Sequence, residues 1–237
     1  MSKPFRFKQF SVEQEHCAMK IGTDAVLLGA WINLEFRPNS ILDIGAGTGI
    51  LALMMAQRST AELIDAIEID DAAYEQCVGN FETSDWGDRL FCYHASLDEF
   101  TEEIEDQYDL IISNPPFYTD TFKTENEMRN MARFEDAMPF IELLKSASKL
   151  LSPNGHFNVV IPFSEEISFI ELAGKEGLHP SRILHVRGQK SSPVKRSLIC
   201  FTFQKQATQT QELIIEIARH QYTKEYTKLT KDFYLKL

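Results

Sequence analysis

Between Ser40 and Phe203 the chain repeatedly exchanges a short apolar run for a stretch of helical spacing, and few architectures accept that order. The apolar runs are 40–45 (SILDIG), 63–69 (LIDAIEI), 90–94 (LFCYH), 108–113 (YDLIIS), 156–161 (HFNVVI), 181–186 (SRILHV) and 196–203 (RSLICFTF). The earlier runs are nearly all apolar, as central strands covered on both faces are. Helical stretches at 50–58, 71–81, 139–150 and 164–176 lie between them. The pattern predicts an α/β fold: a seven-stranded, mostly parallel sheet with helices on both faces. No convincing helix separates the last two runs. The segment 188–195 (GQKSSPVK) reads as a loop joining them into an antiparallel pair at the sheet edge.

Two flanks lie outside this alternation. The N-terminal part has FRFKQF and then an amphipathic stretch at 23–31. The C-terminal part has ELIIEI at 212–217, then a helical pattern with Tyr226, Leu229 and Phe233 on one face. There is no internal repeat and no low-complexity linker. The expected organisation is one domain over 1–237, with a core at 40–204 and extensions at 1–39 and 205–237.

Composition narrows the function classes. With 43% hydrophobic and 25% charged residues the chain is neither disordered nor a helical membrane protein. Its longest apolar run, about 25–32, is far short of the roughly 20 residues of a membrane span. MSKPFRFKQF has no apolar h-region, so no secretion signal and a cytoplasmic location are expected. Cys17, Cys77, Cys92 and Cys200 form no CxxC pair, and the histidines show no HxH or HExxH spacing. Reduced thiols and no metal site follow.

The run 40–45 leads into Asp43-Ile44-Gly45-Ala46-Gly47-Thr48-Gly49 and then the helical stretch 50–58. Glycines at a strand-to-helix turn let the backbone approach a ligand closely. The dinucleotide fingerprint places its third glycine where this chain has Ile50, which disfavours a pyrophosphate loop and a nicotinamide dehydrogenase. The DxGxGxG pattern instead resembles the first motif of S-adenosylmethionine-dependent methyltransferases with a Rossmann-like sheet. That resemblance places Gly45, Gly47 and Gly49 under the cofactor's methionine part and Asp43 near its amino group. Glu68, at the end of the second run, is suited to accept both ribose hydroxyls, because one carboxylate takes two hydrogen bonds. Ile69 would pack on the adenine. In the family an acid after the third strand often meets the adenine amino group; the matching residue here is Ser96, with Asp98 two places on.

The fourth run ends in Asn114-Pro115-Pro116-Phe117. At the carboxyl edge of a cofactor-binding sheet, NPPF matches the motif of methyltransferases acting on planar exocyclic or amide nitrogens. An adenine N6 lone pair is delocalised into its ring. Acceptors for both of its N–H groups localise it toward the methyl donor. The Asn114 side-chain carbonyl is one acceptor, and the Pro115 carbonyl, held by fixed proline φ angles, is the other. Phe117 offers a face for the base to stack on, beside Pro116 in the substrate pocket. No metal or strong base is needed, because catalysis is positioning plus oriented dipoles.

The flanks choose among the families that share NPPF. The stretch from Cys17 to Trp31 (CAMKIGTDAVLLGAW) and the C-terminal YTKEYTKLTKDFYLKL are similar to those of the bacterial tRNA(Val) adenine-N6 methyltransferase family. That family modifies the adenosine just 3′ of the anticodon. Together with DIGAGTG, IEID and NPPF the resemblance covers essentially the whole chain. It implies S-adenosylmethionine as cofactor and a tRNA anticodon stem-loop as partner, with the enzyme taken as a monomer. It also implies that Thr23 and Asp24 lie near the cofactor, where their alternative role is a helix N-cap pair. The alternative, an rRNA guanine-N2 methyltransferase, often carries NPPF too, but also a duplicated or extra domain for which this chain has no room. A protein glutamine-N5 methyltransferase favours NPPY and carries an N-terminal helical domain. A non-catalytic cofactor-binding module would not require the acceptors of NPPF.

The formal charge of −11 argues against an RNA partner until its distribution is read. Residues 1–174 hold 12 basic and 30 acidic side chains, whereas 175–237 hold 12 basic and 5 acidic. Local positive surface binds phosphates even on an acidic protein. Lys190, Lys195, Arg196, the C-terminal lysines and the basic N-terminus are therefore expected to flank the NPPF side of the sheet. The polar segment 118–136, with Lys123, Arg129 and Arg133, is expected to close over the extruded base or to contact the stem-loop.

Overall fold

The computed structural model describes residues 3–17, 19–116 and 140–236. A short antiparallel hairpin, β1 (Phe5–Arg6) and β2 (Ser11–Val12), leads to α1 (Thr23–Trp31). The alternation then runs β3 (Ser40–Ile44), α2 (Ile50–Arg58), β4 (Leu63–Glu68), α3 (Asp71–Glu82), β5 (Leu90–His94), α4 (Leu97–Glu103) and β6 (Tyr108–Ser113). It resumes with α5 (Phe140–Leu150), β7 (Leu151–Pro162), a 3-10 turn (Phe163–Glu165), α6 (Glu166–Lys175) and β8 (His179–Gln189). β9 (Arg196–Thr202), β10 (Gln209–Ala218), β11 (Gln221–Tyr222) and α7 (Lys224–Thr230) complete the chain.

One sheet of nine strands carries the order β11-β10-β8-β9-β7-β6-β3-β4-β5. β3 through β7 are mutually parallel, and crossover helices connect them. Side chains alternate between two cores. Ile41, Ile64, Leu110, Ile112 and Val160 pack against α1, α2 and Tyr226 of α7. Leu42, Ile44, Ile111, Phe157 and Val159 pack against α4, α5 and α6. Both faces are covered, which explains why these strands read as continuous apolar runs.

Two expectations need correction. The sheet has nine strands rather than seven, because β10 adds in parallel to β8 and β11 closes on β10. The antiparallel pair β8–β9 is also not at the edge, where the antiparallel strand is instead the two-residue β11. β9 lies between β7 and β8 and is antiparallel to both. The 188–195 loop does reverse the chain, but β9 then inserts into the sheet where Leu198, Ile199 and Phe201 are fully buried. The helix α4 went unread although SLDE is a capping-box sequence.

The basic termini do not flank the NPPF edge. α2 runs from the carboxyl edge of the sheet to its amino edge, and Gln57 near its end donates to Asp232 O at 3.1 Å. There Lys8 Nζ donates to Lys231 O at 2.6 Å, and Phe7 bridges Tyr234. The two ends are thus joined to each other, but at the edge opposite Asn114. Among the described residues no helix is long and apolar enough to cross a membrane.

Candidate active site at the carboxyl edge of the sheet

Three strand ends converge at one level. The register pairs Ile44 with Ile67 on one side and with Ser113 on the other. Gly45, Glu68 and Asn114 therefore step off neighbouring strands side by side, about 4.8 Å per strand. The Ser113 hydroxyl, fully buried, donates to Ile44 O at 2.9 Å and ties the strand that presents Asn114 to the one that presents the glycine loop. Ser113 was missed from sequence; a polar residue ending an apolar strand run was its only signal.

The loop itself is left-handed at all three glycines, with φ of 71° at Gly45, 55° at Gly47 and 76° at Gly49. A Cβ on Gly49 would stand 2.5 Å from Phe81 and 2.8 Å from Cys77 Sγ, so α3 packs directly on this turn. Gly45 and Gly47 differ: a Cβ there would meet no atom within 4 Å, and the space they face is open. Gly45 and Ala46 both donate to Ile67 O at 3.0 Å.

Glu68 is more committed than its sequence position suggests. Its carboxylate accepts Gly47 N at 2.7 Å through one oxygen, and Ile69 N at 2.9 Å and Asp70 N at 3.0 Å through the other. A carboxylate has about four acceptor positions, so binding two hydroxyls here displaces at least one backbone bond. Ile69 is 65% exposed beside it, an apolar surface at the carboxyl edge.

Asp43 lies beneath the loop rather than in front of it. It is fully buried, and one oxygen accepts Ala52 N at 3.1 Å while the other has no hydrogen-bond partner among the described residues. Burial, with Glu68 nearby, pushes its pKa up to about 7 despite the opposing Ala52 bond. Through its bond to Ala52, Asp43 supports the loop from below.

Ser96 also has partners within the protein. Its hydroxyl accepts Glu99 N at 3.2 Å and donates to Glu99 Oε2 at 2.7 Å, while Ser96 N donates to the same carboxylate. It is the N-cap of α4, and Asp98 stands exposed in the first turn of that helix. Thr23 and Asp24 do not cap α1, whose N-cap is Gly22. Asp24 instead accepts Arg196 Nε at 2.7 Å, joining a residue expected at the cofactor to one expected at the substrate. Both are about one-third exposed, so the pair stabilises by about 0.2–1 kcal/mol. Arg196 pairs with Pro162 at the carboxyl edge, and Lys195 is exposed beside it.

Asn114 is half-buried, Pro115 buried and Pro116 half-buried. Among the described residues none is hydrogen-bonded to the Asn114 side chain, which leaves its carbonyl available. Phe117, Lys123, Arg129 and Arg133 lie outside the described residues.

A further part of the site was not read from sequence. Asn80 of α3, 2% exposed, accepts Glu13 N at 2.8 Å and donates to Glu13 O and Thr48 O, each at 2.9 Å. It binds the segment after β2 to the glycine loop. That segment continues to Cys17, where burial, with Glu68 and Asp70 nearby, raises the thiol to about 11. A lone polar residue on a helical apolar face was the only trace of this in the sequence.

The sheet order, the open left-handed glycine loop, the acid ending the next strand and Asn-Pro-Pro on the other side define an S-adenosylmethionine-dependent methyltransferase of the Rossmann-like class. The family model of the methyltransferase small domain matches residues 16–170. A predicted O-methyltransferase of Agrobacterium tumefaciens shares the fold, with a TM-score of 0.66 at 19% identity over 89% of this chain and 96% of that one. In sequence, the tRNA1(Val) (adenine(37)-N6)-methyltransferase of Christiangramia forsetii is 61% identical over 100% of this chain and 99% of its own. Its counterpart in Flavobacterium psychrophilum is 58% identical over 98% and 100%, and that of Bacteroides fragilis 48% over the whole of both. The chain belongs to this family of methyltransferases.

Proposed function

We propose that the chain methylates N6 of adenine 37, just 3′ of the anticodon, in tRNA1(Val). It acts as a monomer, in the cytoplasm, on the anticodon stem-loop. The observation that carries this reading is the shared level of Asn114, Gly45 and Glu68 on three adjacent strands, which sets an amide acceptor beside a cofactor cradle. The residues present fit S-adenosylmethionine. Gly45 and Gly47 leave open space for it, Glu68 takes ribose hydroxyls by releasing a backbone bond, and the exposed Ile69 covers an adenine face. When bound, the cofactor supplies a methyl group on a positively charged sulfur.

Asn114 Oδ1 accepts one N–H of the target amine and the Pro115 carbonyl accepts the other. Together they turn the nitrogen lone pair out of the base plane. Pro115 and Pro116 fix that geometry in advance, so little reorganisation remains in the transition state. Phe117 stacks on the base, and Arg129, Arg133, Lys195 and Arg196 face the RNA. Asp24 holds the Arg196 guanidinium in place, and Thr23 stands at the same edge.

Two measurements test this. Nucleoside mass spectrometry of tRNA from a deletion strain should show loss of N6-methyladenosine at one site. Loss of N2-methylguanosine from rRNA instead would sink the reading. In the purified protein, Asn114→Ala should lower kcat by about 10²–10³-fold, the usual cost of one oriented polar group. Calorimetric cofactor affinity should stay within a few fold, and its collapse would contradict the assignment of roles.

A further inference from the structure

Phe163 is the first residue beyond β7, and 40% of it is exposed at the carboxyl edge. A single exposed phenylalanine requires no explanation. This one, however, is held firmly. Its N–H donates to Lys195 O at 3.1 Å, fixing it to the start of β9. Its ring meets His185 edge to face, with centroids 5.0 Å apart and planes at 84°. His185 Nε2 lies 2.8 Å from Glu166 Oε2, and the same oxygen accepts the hydroxyl of fully buried Ser197. His185 and Ser197 are register partners across β8 and β9, so the brace is built into the sheet.

The ring also has a defined setting. Lys190 and Lys195 are exposed on the hairpin that joins β8 to β9 at this same edge. β6, which presents Asn114, and β8, which presents His185, are three strand spacings apart, about 14 Å. Phe163 lies between them, where the nucleotides next to a base held at Asn114 fall. An aromatic face with cations at its rim stacks an unpaired base and follows its phosphate.

We propose that Phe163 is a stacking platform for an unpaired nucleotide flanking the target adenine, with Lys190 and Lys195 on the adjoining phosphates. This rests on the tRNA reading given above. The test uses the full-length protein and a tRNA1(Val) anticodon stem-loop, read by RNA affinity and by methylation kinetics. Phe163→Ala should raise Kd and KM for the RNA roughly 5- to 150-fold, the loss of one base–aromatic stack. Cofactor affinity should not move. Phe163→Leu, which keeps apolar bulk without the ring, should fall with alanine. Phe163→Trp should bind within a few fold of wild type, and its fluorescence should be quenched by RNA. Wild-type affinity in the alanine and leucine variants overturns the platform, as does a tryptophan blind to RNA, a readout that stands even if alanine unfolds the protein. A wild-type enzyme that does not methylate this RNA overturns the tRNA reading instead, so the two failures are distinct.

Discussion

Asp43 shows how one side chain's surroundings set properties that its motif does not announce. Its carboxyl is buried against the loop and holds its proton to about pH 7, against an ordinary value of 3.8. The folded state therefore binds this proton more tightly than the unfolded chain. The resulting stability is fully present below pH 3.8 and is lost as pH rises through about 7. Relative to Asp43→Asn, the wild type should lose up to about 4 kcal/mol between pH 4 and 8, from roughly 1.4 kcal/mol per unit. Denaturant midpoints of the two proteins across that range check this, and parallel curves would sink it. Glu68 makes a related point. Sequence placed it at the ribose, and the structure adds that its carboxylate already holds Gly47, Ile69 and Asp70 together. A single residue's type announces what it can bond, whereas its existing bonds follow from which strands meet.

At the level of elements, the segment after β2 is a strap that Asn80 ties to the glycine loop. Removing that amide leaves Thr48 O without its partner in a buried setting, and Glu13 N and Glu13 O without theirs in a part-buried one. Asn80→Ala should cost about 2–4 kcal/mol, since each unpaired buried group costs roughly 1–3. Thermal unfolding should then fall by roughly 5–15 °C. Cofactor affinity should fall too, because Thr48 belongs to the loop; a Tm within about 2 °C of wild type would refute the strap's importance. The strands β3 to β7 and their parallel sense were legible because alternating apolar runs and helical stretches imply crossover connections. α4 and the place of β9 were not. A seven-residue helix gives too short a periodic signal. The choice of β9's neighbour is made by β7, with which it buries Phe157 against Phe201, 6.0 Å apart. That is a contact between residues 44 positions apart in sequence.

For the whole molecule the decisive quantity is where charge ends up. From Ser59 to Asp120 the chain holds 17 acids and only Arg89 as a base. The described residues of this stretch, 59–116, include β4, α3, β5, α4 and β6, which lie toward one end of the sheet. The cations near the proposed RNA site belong to the β8–β9 hairpin beyond β7. Arg187 there is held by Glu212 at 2.5 Å and Arg196 by Asp24, while Lys190 and Lys195 are exposed. RNA affinity should therefore be strongly salt-dependent. Replacing Lys190 and Lys195 together by alanine should reduce the slope of log affinity against log salt by about 1.4, at roughly 0.7 per phosphate lost. An unchanged slope would remove these lysines from the interface. The sequence by itself determined the α/β sheet, the glycine loop and the Asn-Pro-Pro turn, because each is encoded within a few adjacent residues. Only the tertiary structure decided that Asp43 is buried beneath the loop on Ala52, that Ser96 caps a helix, and that the basic termini meet at the far edge. Those outcomes depend on contacts between segments distant in the chain, and periodicity and residue type carry no record of them.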